Sequence, residues 1–538
     1  MAIGLTWPTA AHLGERVPGA GRTDLWNSLW GLWFVPHELT AGRLPWRTGL
    51  LGWPDGGVLV VADPLNALLA APVVVTLGPA VAYTLLVLGH VVFSAMAAHA
   101  LARAVFRSEP AGWIAGVAYG CAPVLVSAIH NGTSESLCGG WLALSCLLTL
   151  QAAREGGARR QALAGLGLML AGLGNWYSGL CAWMFWGATL VVGVGAEGWR
   201  ARGRRLALTA ALGVALTAPV AGLMKAGSTQ PDNLVGIKHT RELMSVRRTV
   251  GVADPRGWWM VGDWRSPDFR KVSRYGEEFI HCHYLGWSLL ALSALGAALG
   301  RGRGEGRGAL LLAGAAGFVL AMGPVVAVDG QPLILRGRLA VPLPYFLVEQ
   351  LPPFSSLSLL YRLSMMPSLA LAVLAGGAVV GRPRLAPLAA LLILLDLRLA
   401  APTRGLPDTE SAVVPEPIVW LADAPEGAVM NFPVVGGRGY LYEQTVHHKP
   451  LAAGLNFPNN RPARAVWGAM LDAADAGLEG EAFQQAVERV ARREGIRYLV
   501  VHIDPMARPD MHDAAVVAVK RWMPAAQEAP GIRVHQLW

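Results

Sequence analysis

Long runs of apolar residues, separated by short polar turns, dominate the first four hundred positions of the chain. A run of about twenty apolar residues is long enough to cross the hydrocarbon core of a bilayer as a helix. Ten runs approach this length, and the fourth of them is short: 80–103, 111–128, 136–153, 161–174, 176–196, 206–224, 284–300, 308–328, 362–381 and 385–400. The pattern predicts an all-α polytopic transmembrane domain of about ten helices over residues 1–400.

The pattern changes after residue 401, where short apolar runs alternate with amphipathic helical stretches. Three stretches are rich in β-branched residues and have the length of strands: 427–435, 496–504 and 531–538. Between the first two, the stretch 479–495 places Phe483 and Val487 on one helical face and ends at Gly495, a residue typical of a helix C-cap. The tail 401–538 is therefore predicted to be a small α/β domain.

Basic residues occur in every second turn between the apolar runs. These turns carry Arg103, Arg107, Arg154, Arg159, Arg160, Arg200, Arg202, Arg204, Arg205, Arg301, Arg303, Arg307, Arg382 and Arg384. The intervening turns HNGTSES (130–136) and GNWYSG (174–179) contain neither Lys nor Arg. Because short cytoplasmic loops retain Lys and Arg, the basic turns are predicted to face the cytoplasm. The extracytoplasmic parts are then the loops 1–65, 226–283 and 329–360, together with the tail.

The outer placement of residues 1–65 requires an export signal, which the opening residues MAIGLTW do not supply. Two interpretations stay open. In the first, the true start lies upstream and a first helix precedes this sequence; in the second, residues 65–78 form a membrane segment that changes the helix count. We favour the first, because the run 65–78 is short for a span and contains a proline, which is typical of a re-entrant or interfacial segment.

Composition agrees with a membrane protein, since 53% of the residues are hydrophobic and only 15% are charged. The net charge of +9 could suit a nucleic-acid partner, but the arginines form short clusters between apolar runs, where membrane orientation explains them. No nucleic-acid partner is therefore expected. The five cysteines show neither paired nor metal-ligand spacing, and no glycine-rich phosphate loop opens a helix in the tail.

Six stretches spread over nearly the whole chain carry a family resemblance. They are LTWPTAAHLGERVPG, TDLWNSLWGLWFVPHEL, DPLNALLAAPVVVTLGPAVAYTLLVLGHVVFS, HNGTSESLCGGWLAL, NWYSGL and VPLPYFLVEQLPPFSSLSLLYRL. With these motifs the chain resembles bacterial polytopic proteins of the GT-C glycosyltransferase superfamily. The motifs are hydrophobic and aromatic patterns with few chemically diagnostic residues, so the resemblance implies the fold more directly than the activity.

The resemblance implies an enzyme of the bacterial cytoplasmic (inner) membrane. Superfamily enzymes take a sugar from a polyprenyl-phosphate carrier and transfer it to an acceptor at the outer face, so membrane lipid and a polyprenyl-phosphate-linked sugar are the expected partners. In the superfamily a first transmembrane helix precedes an outer loop that contains an acidic residue. Asp24 resembles that residue in position, and the missing first helix is a departure from the pattern.

Asp24 stands directly before three tryptophans at helical spacing, Trp26, Trp30 and Trp33. Sugar transfer to a hydroxyl requires removal of a proton, and a carboxylate at the membrane surface is suited to that task. We therefore predict Asp24 as a catalytic base, with Trp26 and Trp30 covering the sugar or the prenyl chain. The alternative is structural: Asp24 caps a helix, and the tryptophans form an interfacial belt.

Glu135 is the second catalytic candidate, because it lies in the outer turn where the next apolar run begins. His130 stands five residues earlier in the same turn and is a candidate substrate-binding residue. The alternative interpretation is that Thr133 or Ser134 caps the helix while Glu135 complements the dipole at its N-terminus.

A lipid-phosphate donor also needs cations near the outer interface, and arginine suits this role best. Arg336, Arg338 and Arg362 are the candidate substrate-binding residues, and Arg270, Lys271 and Arg274 lie in the preceding outer loop. Arg362 opens an apolar run, so it must snorkel or pair with a lipid headgroup or with a carboxylate such as Asp24 or Glu135.

A divalent metal ion is left open as a cofactor, although no metal site is assigned. His281 and His283 flank Cys282, with Glu277 and Glu278 nearby, and these residue types could ligate a metal. Two histidines at this spacing are weak support for a site, so none of them is predicted as a ligand.

Two function classes follow from the sequence. The first is an extracytoplasmic glycosyltransferase that uses a polyprenyl-linked sugar for an envelope acceptor. The second is a non-catalytic membrane protein of the same architecture, a transporter or scaffold in envelope polysaccharide or lipid assembly. Only the enzyme requires Asp24, Glu135 and an arginine to meet at one outward-facing site.

Overall fold

The computed structural model describes most of the chain. The described ranges are 2–59, 63–193, 199–235, 246–272, 279–299, 305–351, 354–404, 407–432, 438–455, 460–503 and 514–538. All statements below concern these residues.

The part before residue 401 is built mainly of helices. They are α1 (Ala2–Leu5), α2 (Leu25–Thr40), α3 (Pro64–Leu77), α4 (Pro79–Phe106), α5 (Glu109–Gly120), α6 (Pro123–His130), α7 (Gly139–Glu155), α8 (Ala158–Gly174), α9 (Trp176–Val192), α10 (Trp199–Ser228), α11 (Pro267–Val272), α12 (Trp287–Leu299), α13 (Arg307–Ala321), α14 (Tyr345–Val348), α15 (Met365–Gly376) and α16 (Ala386–Leu399). Short strands lie in the outer loops: β1 (Arg16–Pro18), β2 (Arg47–Thr48), β3 (Gly57–Val58), β4 (Ala327–Val328), β5 (Gln331–Pro332), β6 (Ile334–Leu335) and β7 (Leu339–Ala340).

Several of these helices are long and apolar enough to cross a membrane. In the described part of the chain, five helical stretches meet both conditions: Pro79–Phe106, Glu109–His130, Ser134–Glu155, Trp199–Ser228 and Leu360–Val379. Four shorter apolar helices accompany them: Pro64–Leu77, Trp176–Val192, Trp287–Leu299 and Arg307–Ala321. The chain is therefore a multi-pass membrane protein with a mostly helical fold.

Each predicted apolar run contains a helix, but two runs depart from the predicted span. The run 111–128 is divided into α5 and α6 at Ala122, whose backbone is extended because the next residue is Pro123. The run 308–328 stops being helical at Ala321 and continues as an outer loop. Residues 64–77 form the 14-residue helix α3, which is short for a span, as the sequence indicates.

The tail contains the predicted strands and the predicted helix. Its strands are β8 (Thr409–Ser411), β9 (Ala428–Phe432), β10 (Ile496–His502), β11 (Gln527–Ala529) and β12 (Ile532–Gln536). Its helices are α17 (Glu416–Asp423), α18 (Gly439–His447), α19 (Arg461–Asp475), α20 (Gly480–Glu494) and α21 (Ala514–Trp522). Four strands form one sheet in the order β11, β12, β10, β9, with β9 and β10 parallel and the other pairs antiparallel. Helix α20 buries Phe483 and Val487 against this sheet.

Residues 2–59, which belong to the first segment predicted to lie outside and are called the first outer segment below, pack directly onto the tail. Strand β1 pairs with β8 in antiparallel register, so that Arg16 lies opposite Ser411. Farther along, the backbone N–H of Trp53 donates to the carbonyl oxygen of Leu451 at 3.1 Å, and its indole N–H donates to the carbonyl of Glu494, also at 3.1 Å. Residues almost four hundred positions apart, such as Val17 and Ala412, also share one hydrophobic core.

The tryptophan face of α2 lies inside this shared core. Trp30 is 1% exposed, and its indole nitrogen donates to the side-chain oxygen of Gln444 at 2.8 Å. Trp26 stacks on Tyr442, with ring centroids 5.2 Å apart. Because helix α18 supplies both partners, the helical spacing of the tryptophans serves packing against the tail and not contact with the bilayer.

A second contact fixes α2 to the outer turn, which we define as residues 130–136. The N–H of Asp24 donates to the carbonyl oxygen of Asn131 at 3.2 Å. Gly132 has φ +63°, and a Cβ placed on it would lie 2.3 Å from the Cα of Leu25. Only glycine allows both the left-handed backbone and this approach.

This contact gives a stability prediction. Gly132→Ala should lower the free energy of unfolding by at least about 1–2 kcal/mol, because a left-handed alanine is strained and its Cβ collides with backbone. The measurement is thermal unfolding of the purified variant in detergent. The matched control is Gly89→Ala in α4, where nothing lies within 4 Å of the added Cβ and no loss is expected. Equal unfolding temperatures for the two variants would contradict the described contact.

Candidate functional site

The outer turn contacts several of the segments that carry the residues selected from the sequence. It contacts the first outer segment through Asp24 and Ala20, whose N–H donates to the carbonyl of His130 at 2.8 Å. It contacts the later outer loop through Asn131, whose side chain both donates to the carbonyl of Ile280 and accepts from its N–H, each at 2.8 Å. The turn is therefore a junction of three outer segments at the ends of the apolar helices.

Asp24 occupies the N-cap position of α2, but its side chain makes no capping hydrogen bond. Its Oδ1 accepts instead from Nη1 of Arg438 at 2.7 Å, an ion pair in which both side chains are about 30% exposed or less. By contrast, Asn175 caps α9 by accepting from the N–H groups of Tyr177 and Ser178. Asp24 therefore occupies the cap position that the structural alternative predicts, but its carboxylate pairs with Arg438 and does not cap the helix.

Glu135 and Arg362 form the second ion pair of the site. Nη1 of Arg362 lies 3.1 Å from Oε1 of Glu135, and the arginine lies over the ring of Tyr177. Arg362 belongs to a short 3₁₀ helix, Leu360–Ser364, that leads into α15. From the sequence, a lipid headgroup, Asp24 and Glu135 are possible partners of this arginine, and in the structure it pairs with Glu135. Thr133, at the N-cap of the 3₁₀ helix Ser134–Leu137, makes no side-chain capping bond.

Asp63 is a site residue that sequence reasoning missed. Its Oδ2 accepts from the hydroxyl of Ser134 at 2.6 Å and from the side-chain amide of Asn66 at 2.8 Å. Burial raises the pKa of Asp63 to about 7, and the nearby carboxylate of Glu135 adds to the rise. The Asp-Pro pair before an apolar run signals the N-cap of α3, which Asp63 does provide. Nothing local indicates the contact with Ser134.

His130 is buried at the start of the outer turn. Its ring packs on Trp264 with centroids 4.3 Å apart, and its Nδ1 lies 3.8 Å from Oδ2 of Asp408. The two partners come from the later outer loop and from the start of the tail. His130 therefore lies at the same junction as Asp24, as its predicted role requires.

The predicted tryptophans divide between interior and partly open positions. Trp30 is enclosed by protein, which leaves almost none of its surface for a sugar or a prenyl chain. Trp26 is only partly buried and keeps an open edge. Trp33 stacks on His37 at 4.3 Å and faces His448. These tryptophans therefore do not form an interfacial belt, because the tail covers them.

Arg336 and Arg338 lie away from the outer turn, at the end of the hairpin formed by β6 and β7, where both are exposed. Lys271 pairs with Asp268 at 3.1 Å within α11, and Arg270 is exposed on the same helix. Arg274 falls outside the described residues. Of the four cations in the described ranges, none joins the Asp24–Arg438 or the Glu135–Arg362 ion pair.

The two histidines considered as metal ligands have separate partners. His281 stacks on Tyr361 with centroids 4.1 Å apart, and Nε2 of His283 hydrogen-bonds the carbonyl of Asp254 at 2.9 Å. Burial lowers the pKa of both rings, and Arg362 contributes to the shift at His281. Within the described ranges, no three His, Cys, Asp or Glu side chains are grouped to hold a metal ion. Glu277 and Glu278 lie outside those ranges.

The site holds carboxylates in two different environments. Asp24 and Glu135 each pair with an arginine, whereas burial raises the pKa of Asp63 to about 7. Such a separation of carboxylate properties within one site is what proton transfer needs.

Comparison with solved structures finds proteins of similar fold. Across 96% of this chain and 69% of the other, it matches an archaeal oligosaccharyltransferase, AglB from Archaeoglobus fulgidus in complex with an inhibitory peptide and a dolichol-phosphate, at TM-score 0.52 and 14% identity. ArnT from Cupriavidus metallidurans in the apo state matches at TM-score 0.51 and 13% identity, over 98% of this chain and 96% of that one. The mycobacterial arabinofuranosyltransferase AftD matches at TM-score 0.51 and 15% identity, over 97% of this chain but 42% of its own.

These three neighbours are GT-C glycosyltransferases, so the predicted resemblance to this superfamily is confirmed at the level of the fold. Neither a search of protein-family models nor a search of curated proteins gave a match. At 13–15% identity the likeness concerns architecture, and the roles of individual residues rest on the geometry described above.

The raised pKa of Asp63 predicts a pH dependence of stability. A carboxyl group whose folded pKa lies above its unfolded value stabilises the fold most at low pH, and this contribution is lost as the pH rises from about 4 through about 7. Asp63→Asn has the shape of the neutral carboxyl group and does not titrate. The free energy of unfolding of the wild type, relative to that of this variant, should therefore fall as the pH rises from 5 to 8. Thermal unfolding at both pH values measures it, with Asp55→Asn, an exposed carboxylate, as control. A constant difference would contradict the raised pKa.

Proposed function

We propose that this chain is a membrane glycosyltransferase that transfers a sugar from a polyprenyl-phosphate carrier to an envelope acceptor on the extracytoplasmic face. One observation carries the proposal. The carboxylate of Asp24 stands at the N-terminus of α2 without capping it and pairs with Arg438, and α2 contacts the outer turn, whose Glu135 pairs with Arg362.

Asp24 is the proposed catalytic base. As the new glycosidic bond forms, the hydroxyl of the acceptor must lose its proton, and the bond between the sugar and the phosphate must break, with its electron pair leaving on the phosphate. A partly exposed carboxylate can take that proton. Arg438 pairs with Asp24 and fixes the direction of its carboxylate.

Arg362 is proposed to receive the phosphate of the carrier, and Glu135 is its partner in the described structure. Arginine binds phosphate oxygens through paired N–H donors, and Nε of Arg362 has no hydrogen-bond partner in the described part of the chain. A phosphate would compete with Glu135 for the guanidinium, so Glu135 holds the arginine in place when the carrier is absent. Trp26, in the first turn of α2, is only partly buried and is the candidate sugar contact. His130 is buried at the junction, so it supports the site from within.

A lipid-linked donor is supported by two further points. The AglB structure contains a dolichol-phosphate, a carrier of the same chemical class, and this chain shares its fold. The outer turn also follows directly on apolar helices, where a prenyl chain would reach it from the bilayer. The alternation of basic and uncharged turns supports a bacterial inner-membrane location with the tail outside.

Asp24→Asn tests the base. The substitution keeps the shape and an oxygen that Arg438 can still contact, but it removes proton acceptance. Because general-base assistance contributes about 10²–10⁴-fold in rate, sugar transfer should fall by that order. The measurement is transfer by purified protein in nanodiscs, using a panel of polyprenyl-phosphate-linked sugars, together with thermal unfolding.

Two controls separate chemistry from stability. Arg438→Gln removes the same ion pair while keeping the carboxylate, so its unfolding temperature reports what the pair contributes to the fold. Asp55→Asn changes an exposed carboxylate of the same outer segment and should leave transfer unchanged. Normal transfer by a stable Asp24→Asn variant would reject Asp24 as the base. Wild-type protein that transfers none of the sugars would favour a transporter or scaffold instead.

A further inference from the structure

The outer loop between α13 and α15 exposes an unusual amount of apolar surface. Large hydrophobic side chains there point to solvent, including Leu339 at 62% and Leu347 at 72% exposed. Further members of the same surface are Leu335, Phe346 and Leu351. They lie on the hairpin of β6 and β7 and on the short helix α14, which do not span a membrane. We call residues 333–351 the outer ledge.

The base of the outer ledge is fixed at the end of a membrane helix. Helix α13 ends at Ala321, and the N–H of Leu343 donates to the carbonyl oxygen of Pro324 at 2.9 Å. Val325 and Pro342 form an antiparallel bridge beside this bond. The ledge therefore begins where the chain leaves the apolar helix, at the level of the membrane surface.

A second attachment limits movement of the ledge. The turn between β4 and β5 contains Asp329, whose carboxylate pairs with Arg256 at 2.5 Å and whose N–H donates to Asp254 at 2.9 Å. Arg256 also pairs with Asp254 at 2.8 Å. The hairpin that carries the exposed leucines thus extends from a base held on two sides.

The turn of the exposed hairpin carries two positive charges. Arg336 and Gly337 have φ +50° and +69° and are the central residues of a β-turn in which the N–H of Arg338 donates to the carbonyl of Leu335 at 3.1 Å. Arg336 and Arg338 are exposed, and in the part of the chain that the structure describes neither forms an ion pair. The end of the ledge is therefore cationic, and its sides are apolar.

We propose that the outer ledge inserts into the headgroup region of the outer leaflet, with Arg336 and Arg338 binding the phosphates of anionic lipids. The two-residue strands of the ledge leave backbone N–H and C=O groups unpaired. Such groups cannot enter the hydrocarbon core, but water can satisfy them in the headgroup region. Segments that lie in the headgroup region typically combine leucine and phenylalanine with arginine, as the ledge does. The complementary charge of the lipid phosphates selects a membrane over an apolar protein partner. This surface is independent of sugar transfer.

The depth of the ledge can be measured directly. Leu339→Cys is labelled with an environment-sensitive fluorophore in the full chain, since the five native cysteines are buried, and the unsubstituted chain serves as the labelling blank. The protein is reconstituted in nanodiscs that contain phosphatidylcholine with or without phosphatidylglycerol, but no polyprenyl phosphate. The fluorophore should be quenched by lipids spin-labelled near the headgroup and protected from iodide. Val517→Cys, an exposed position in α21 of the tail, should show the reverse.

The arginines are tested in the same discs. Quenching at position 339 should increase when phosphatidylglycerol is present, and Arg336→Gln with Arg338→Gln should abolish that increase, since each arginine near an anionic surface strengthens association by about fivefold. The matched control is Arg382→Gln with Arg384→Gln, an exposed arginine pair of the same spacing in another turn, which should retain the increase.

Three outcomes would overturn the proposal. Iodide quenching at position 339 equal to that at 517 would show that the ledge stays in water. Protection from iodide without quenching by the spin-labelled lipids would show a second protein copy on this surface. Quenching that is indifferent to phosphatidylglycerol, or unchanged in the double glutamine variant, would reject the binding of anionic lipid.

Discussion

The close approach of Gly132 to the backbone of Leu25 is the constraint on which the outer side of this protein depends. It sets the start of α2 against the outer turn, so that Asp24 on one and Glu135 on the other belong to the same site. The tail then encloses α2 from the opposite side through Gln444, Tyr442 and Arg438. The result is a helix held between two distant parts of the chain, with the carboxylate of its N-cap residue, Asp24, directed at Arg438.

The role of the tryptophans follows from this enclosure. Trp30 is a large apolar side chain whose indole N–H must be satisfied when it is buried, and Gln444 supplies the acceptor. The tryptophan face therefore attaches the first outer segment to the tail. Because Arg438 comes from the same part of the tail, this packing also decides which cation faces Asp24.

Much of the fold could be predicted from sequence because its signals are local. Apolar runs of bilayer length gave helices, and Gly495 ends α20 in the left-handed conformation that its position indicates. The break at Pro123 was missed, since composition alone does not reveal a change of helix direction. The site was predictable only in part: Asp24 and Glu135 are visible as carboxylates ahead of apolar runs, but Arg438 lies 414 residues from Asp24 and has no local signature.

The central claim is that Arg362 receives the phosphate of a polyprenyl carrier on the outer side, and binding of polyprenyl phosphate to the protein in nanodiscs tests it most directly. Arg362→Gln removes the charge-assisted hydrogen bonds of one arginine, so it should weaken binding of polyprenyl phosphate by roughly ten- to a hundredfold. The double variant Arg362→Gln with Glu135→Gln removes both charges of the pair, so no unpaired carboxylate is left buried. It should bind polyprenyl phosphate as weakly as the single Arg362→Gln variant. Arg248→Gln, which breaks a comparable pair with Glu349 at 3.2 Å, should bind like wild type. Unchanged affinity in both Arg362 variants would contradict the claim.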